Sequence, residues 1–253
     1  DHCRNWDWVA EQFRHDYHIV APDLRGHGDS QWMMGGAYNQ LDYVYDIAQL
    51  LNQKQMTPLT IIGHSLGGSI SLLYTALHPQ NVNKLVAIEG MGPPPAMMQG
   101  HLDKPMKDRI HHWMDDLRAQ SARLSRRYAT LEDACERMQS ENPHLSAEQA
   151  QHLTIHGANQ NEDGTFSWKF DNYVRSFPPT GVPFEETAAM YRDITCPTML
   201  VRGLESWAAD PIEDGRVNNF TCPLTVEPFE KAGHWVHHDQ LDGFVDKVRL
   251  FLD

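Results

Sequence analysis

The chain has 253 residues, and 34 acidic against 21 basic side chains give it a formal charge of −13; that argues against a nucleic-acid or anionic-membrane surface, since both need clustered Lys and Arg. Hydrophobic residues at 41% and charged residues at 22% are ordinary for a globular protein, and no apolar run approaches the ~20 residues that cross a bilayer. Cys3, Cys135, Cys196 and Cys222 are scattered without a C-x-x-C pair, and the opening residues do not read as a secretory leader, so free thiols in a reducing cytoplasm are the expectation.

In chain order, "YHIVAPDL" (Tyr17 to Leu24) reads as a strand, short, β-rich and stopped by Pro22. The loop "DLRGHGDS" (Asp23 to Ser30) reads as structural, its glycines turning tightly and an Asp–Arg pair bracing it. "LDYVYDIAQLLNQ" (Leu41 to Gln53) carries Leu41, Val44, Ala48 and Leu51 at helical spacing. "PLTIIG" is a strand, "SLGGSISLLYTALHP" a helix closed by Pro79, and "KLVAIEG" a further strand. "GMGPPPAMM" (Gly90 to Met98) reads as a stiff hinge. Helical stretches without strand alternation follow from Pro93 to Asp193: one over His101 to Leu124, another over "LSAEQAQHL", and a turn at Asp163-Gly164 leading into the hairpin arm "TFSWKF". Alternation resumes with the strands "CPTMLVRG" and "PLTVEPF", and the last helix, "QLDGFVDKVRLFLD", sets Leu241, Phe244, Val245, Val248, Phe251 and Leu252 on one face. Strands alternating with helices predict an α/β fold with a mostly parallel, doubly wound sheet. Residues 1–92 and 194–253 form its core, and residues 93–193 a mainly helical cap.

The chemistry concentrates at Gly63-His64-Ser65-Leu66-Gly67, a G-x-S-x-G match between a predicted strand and a predicted helix. Such a turn strains the serine backbone, needs small residues two positions away and lifts Oγ above the sheet edge. The following helix places the Leu66 N–H where an oxyanion develops. A hydroxyl needs a base; of the 15 histidines, His234 in "KAGHWVHHDQ" follows the last strand, so its loop gathers at the same sheet edge as Ser65. His237 and His238 read as solvated helix-entry residues. His111, His112 and His156 fall in the insertion without metal-ligand spacing, so no metal and no cofactor are expected. For the carboxylate that orients the imidazole, Glu89 and Glu205 both follow strand ends, and Asp210 is a third candidate.

The order and spacing of "APDLRGHGDS", "GHSLGG", "CPTMLVRG" and "AGHWVHH" resemble the α/β-hydrolase superfamily, in its capped serine-hydrolase and esterase branch. The resemblance spans essentially the whole chain and implies Ser65 as nucleophile and His234 as base. The family's usual acid sits three residues after the glycine ending the penultimate strand; that glycine is Gly203, and the position holds Ser206. In relatives such as haloalkane dehalogenases the acid stands at the end of the strand after the nucleophile, where this chain has Glu89. That favours Glu89, with Glu205 as rival. Relatives also carry a His-Gly segment after an earlier strand. "DHCRNWDWVAEQF" resembles the stretch just downstream, so about 30–40 preceding residues with three N-terminal strands are expected to be missing. The implied reaction is cleavage of a small-molecule carboxylic ester through an acyl-enzyme. Carbon–carbon hydrolysis, thioester hydrolysis and a non-catalytic ligand-binding role use the same parts. The resemblance leaves His64, Met97, Met98, Trp113, Trp207 and Trp235 as candidates for the substrate pocket.

Overall fold

A computed structural model describes residues 2–34, 38–122, 125–176, 178–180 and 183–253, with the backbone alone at Met98, His101 and Phe184. In chain order it has α1 (Asp7–Phe13), α2 (Gln40–Lys54), β1 (Leu59–His64), α3 (Leu66–Leu77), β2 (Val82–Ile88), α4 (Pro95–Leu102), α5 (Met106–Ser121), α6 (Leu131–Glu141) and α7 (Ala147–Gly157). Then follow β3 (Ala158–Gln160), β4 (Phe166–Trp168), α8 (Phe184–Met190), β5 (Thr198–Gly203), β6 (Leu224–Phe229), α9 (Val236–Asp239) and α10 (Leu241–Leu252). The chain forms two compact units, Asp1–Tyr38 with Ile110–Pro179 and Asn39–Arg109 with Thr180–Asp253. The insertion expected over 93–193 coincides with neither, since both its ends cluster with the sheet and its middle clusters with residues 1–38.

In the second unit β1, β2, β5 and β6 form a parallel sheet in that order. Leu85, Val86, Ala87 and Ile88 of β2 are at most 1% exposed, the near-continuous apolar run of a strand covered on both faces. α3 joins β1 to β2 and packs against both. It ends at Leu77, two residues before Pro79, which cannot continue a helix. α2 starts where the Asn39 side chain accepts from the Asp42 N–H at 3.0 Å and stops where Gln55 turns left-handed. α10 buries Phe244, Val245 and Val248, each worth on the order of 1.5–3 kcal/mol. Lys84 Nζ donates to the carbonyls of Phe251 and Leu252 at 2.9 and 2.6 Å, a cation at a helix C-terminus. The single helix expected over 101–124 is broken at Pro105. The Pro105 carbonyl accepts from the Asp108 N–H at 2.9 Å and opens α5, while residues 123 and 124 lie outside the described ones.

In the first unit, side-chain capping boxes start α6 (Thr130 with Asp133) and α7 (Ser146 with Gln149). β3 and β4 form the expected antiparallel hairpin around Gly164, whose φ is +83°. The strand expected over Tyr17 to Leu24 is not formed, and Tyr17, Ile19 and Val20 are 44%, 37% and 44% exposed. Side-chain alternation marks a strand's faces, but a strand exists through its ladder, and no described strand pairs with this segment. The loop after it is braced by backbone donors. Asp23 accepts from the N–H groups of Cys3 and Asp29 at 2.6 and 2.9 Å. The four cysteines form no disulfide, and among the described residues no helix is long and apolar enough to cross a membrane.

Candidate active site

Register places the site. His64 pairs with Ile88, and Ile88 pairs with Val201. Ser65 and Glu89 are therefore the first residues beyond two neighbouring parallel strands, and they leave the sheet alike, each with φ near +52°. Their N–H groups stay on the ladder: Ser65 donates to Ile88 and Glu89 to Val201, both at 2.8 Å. Positive φ costs a non-glycine residue about 1–2 kcal/mol, and two such residues side by side are strain held at a site.

The glycines explain how the turn fits. A Cβ at Gly63 would lie 2.5 Å from the Gly67 carbonyl oxygen and 2.6 Å from Ser71 Oγ. A Cβ at Gly67 would meet nothing within 4 Å, so crowding at the turn accounts for Gly63 and not for Gly67. Gly68 faces Gly90, where a Cβ would come within 2.7 Å of the Gly90 Cα. The first turn of α3 thus sits directly on the backbone following Glu89. Leu66 is the first residue of α3, so its N–H is among the helix donors without an intrahelical acceptor four residues back.

The Glu89 side chain is fully buried. Its Oε1 accepts the Gly203 N–H at 2.7 Å, and its Oε2 accepts the Ser206 hydroxyl at 2.7 Å and faces His234 Nδ1 at 3.4 Å. A carboxylate accepts and does not donate, so the His234 proton lies on Nδ1 and the Nε2 lone pair is left to act as a base. At 3.4 Å the contact is longer than the usual N–H···O distance. Glu205 is exposed, and Asp210 is ion-paired to Arg202 and accepts the Ile212 N–H at 2.8 Å. The structure thus brings Glu89 to His234. Ser206, at the usual acid position, donates to that carboxylate.

His64 Nε2–H donates to the backbone carbonyl of His234 at 2.7 Å. Its ring lies 4.7 Å from that of His234 and 4.8 Å from that of His237, centroid to centroid. Burial, then the neighbouring His234, holds its pKa well below the ordinary imidazole range. His237 and His238, expected to be solvated, are 0% and 4% exposed. The tight turn of α9, with the His238 and Asp239 N–H groups donating to Trp235 O at 2.8 and 3.0 Å, draws both side chains inward. Burial, then His238, pushes the His237 pKa well down.

Of the pocket candidates, Trp207 is 63% exposed with its ring 5.0 Å from that of His234. The Trp235 ring lies 6.5 Å from that of His64. Met97 is exposed on α4, the Met98 side chain lies outside the described residues, and Trp113 is half-buried in the first unit. Sequence reasoning missed Arg216, which is 1% exposed. It donates to the carbonyls of Met91 at 2.5 Å and Ala209 at 3.1 Å and pairs with Asp214 at 2.8 Å. It ties the segment after Glu89 to the segment after Ser206. An arginine in the polar stretch "EDGRVNN" carries no local mark of burial. Among the described residues no group of three or more His, Cys, Asp or Glu side chains could hold a metal ion.

A model of the alpha/beta hydrolase fold family matches residues 2–241. A serine hydrolase-like protein of Danio rerio is 31% identical over 227 residues, covering 88% of this chain and 65% of that protein. An esterase of Mycobacterium tuberculosis is 24% identical over 239 residues, 92% of this chain and 74% of the esterase. The chain thus spans just under two thirds of the first relative and about three quarters of the second. Among solved structures, a thioesterase domain from the curacin biosynthetic pathway superposes with a TM-score of 0.82 at 22% identity, covering 100% of this chain and 88% of that one. At that identity the likeness shows the fold alone.

Proposed function

Because this chain belongs to the α/β-hydrolase fold family, we propose that it hydrolyses small carboxylic esters through an acyl-enzyme on Ser65. The observation that carries the reading is the buried Glu89 carboxylate facing His234 Nδ1 at 3.4 Å, beside a serine held at φ +52°. Ser65 Oγ attacks the acyl carbon while His234 Nε2 takes its proton, and the same nitrogen returns it to the leaving alcohol. Glu89 holds the imidazole in the Nδ1–H tautomer and stabilises the imidazolium. The Leu66 N–H faces the oxyanion of the tetrahedral intermediate. Water deprotonated by His234 then releases the acid. The resemblance to an esterase supports this reaction class, and fold does not fix the substrate.

The test is turnover of p-nitrophenyl esters from acetate to palmitate, wild type beside Ser65→Ala, with fluorophosphonate labelling located by peptide mass. Turnover lost with Ser65, and a label on Ser65, are the expected results. A folded wild type that neither turns over nor labels overturns the proposal.

A further inference from the structure

Sheet geometry leaves one distance of the proposed site unset. In the order β1-β2-β5-β6, two strands separate the strand before Ser65 from the strand before His234. At about 4.8 Å per strand their axes lie roughly 14 Å apart. The loop after β6 must therefore run back across the sheet edge, and no ladder bond between β1 and β6 governs how far. One step of that return is pinned where the Glu205 N–H donates to Ala232 O at 2.9 Å. The next is pinned at His234 itself. Its carbonyl accepts from His64 Nε2 at 2.7 Å, a bond between residues 170 apart in sequence. His64 is the last residue of β1 and the covalent neighbour of Ser65. We infer that His64 is a positioning residue for the hydrolysis, a strap from the nucleophile's own strand to the backbone of the base. This inference rests on the serine-hydrolase reading above.

The chemistry of the residue suits the role. A carbonyl only accepts, so the bond requires the proton on Nε2. The ring lies against those of His234 and His237, so a charged His64 would repel the imidazolium formed during turnover. A neutral ring that spends its one N–H on a backbone carbonyl sets geometry without adding charge. The strap acts on the Ser65–His234 distance and not on substrate contacts, so its loss falls on kcat, and a displacement of about 1 Å can cost on the order of 100-fold.

The experiment compares wild type, His64→Gln and His64→Met with p-nitrophenyl acetate, reading kcat and KM separately alongside the rate of fluorophosphonate labelling. Glutamine places an amide N–H where Nε2 stood; methionine fills similar space without a donor. The expected result is a kcat loss of about 10- to 100-fold in His64→Met with KM within about twofold, and His64→Gln within about threefold of wild type. A His64→Met variant at wild-type kcat, or a His64→Gln variant that falls as far, overturns the inference. Should the methionine variant not fold, nitrogen-15 NMR of wild-type His64 decides. An Nε2–H tautomer supports the strap, and an Nδ1–H tautomer overturns it. An inactive wild type would sink the hydrolase reading and this one together. An active wild type with an indifferent His64→Met sinks this one alone.

Discussion

Glu89 combines two features that are costly singly, a buried charge and a positive φ. Burial is tolerable because three groups face its two oxygens, the Gly203 N–H, the Ser206 hydroxyl and His234 Nδ1. Glu89→Gln keeps the shape but can offer an amide N–H to the imidazole, favouring the wrong tautomer. Ester turnover is expected to fall by about 10³- to 10⁴-fold with the chain still folded. Glu205→Gln changes an exposed side chain and is expected to stay within about twofold. The reverse ranking in a steady-state assay would move the acid to Glu205. That rivalry was open in the sequence because both carboxylates follow strand ends. Burial and the Ser206 hydroxyl favour Glu89; the absence of charge at Ser206 was readable and its hydrogen bond was not.

At the level of elements, α3 meets β1 and β2 through glycines, and they are not equivalent. A Cβ on Gly68 would press on the Gly90 backbone, which cannot rotate away as a side-chain tip could. Gly68→Ala is expected to lose about 1–3 kcal/mol and to displace the elbow beside it. Gly67→Ala meets open space and removes a glycine from a helix, so it is expected to be neutral or to gain up to about 1 kcal/mol. Urea unfolding of the two variants checks this, and equal losses would contradict it. β1, α3 and β2 were legible because each is local, an apolar run or period bounded by Gly or Pro. The segment from Tyr17 to Leu24 misled because a ladder depends on a partner that no local pattern supplies. The burial of His237, His238 and Arg216 is likewise a tertiary outcome, hidden in stretches whose composition reads as surface.

Over the whole molecule, buried neutral histidines couple stability to pH in both units. Burial lowers His2 and His27 in the first unit, His27 to about 4, and His64 and His237 in the second. In the unfolded chain each would titrate near 6.5. Between pH 6.5 and 4 the unfolded state therefore binds more protons than the folded one, and stability rises with pH. The contribution is fully present above about 6.5 and is lost as pH falls toward 4. His27 alone accounts for roughly 3 kcal/mol across that window. Asp23, whose carboxyl lies below its ordinary 3.8, loses its contribution only on further acidification, so the window belongs to the histidines. Urea unfolding at low protein concentration, which avoids association near the pI of about 5.5, should give a midpoint that is flat from pH 8 to 7 and falls steeply from 6.5 to 4.5. His27→Asn places an amide N–H close to where Nδ1 stood and can still donate to the Arg25 carbonyl that His27 Nδ1 reaches at 3.0 Å, but it no longer takes up a proton when the chain unfolds. It is expected to keep most of the stability at pH 7.5 and to show a shallower acid slope. A slope unchanged by that substitution would mean that His27 already titrates near 6.5 in the folded protein.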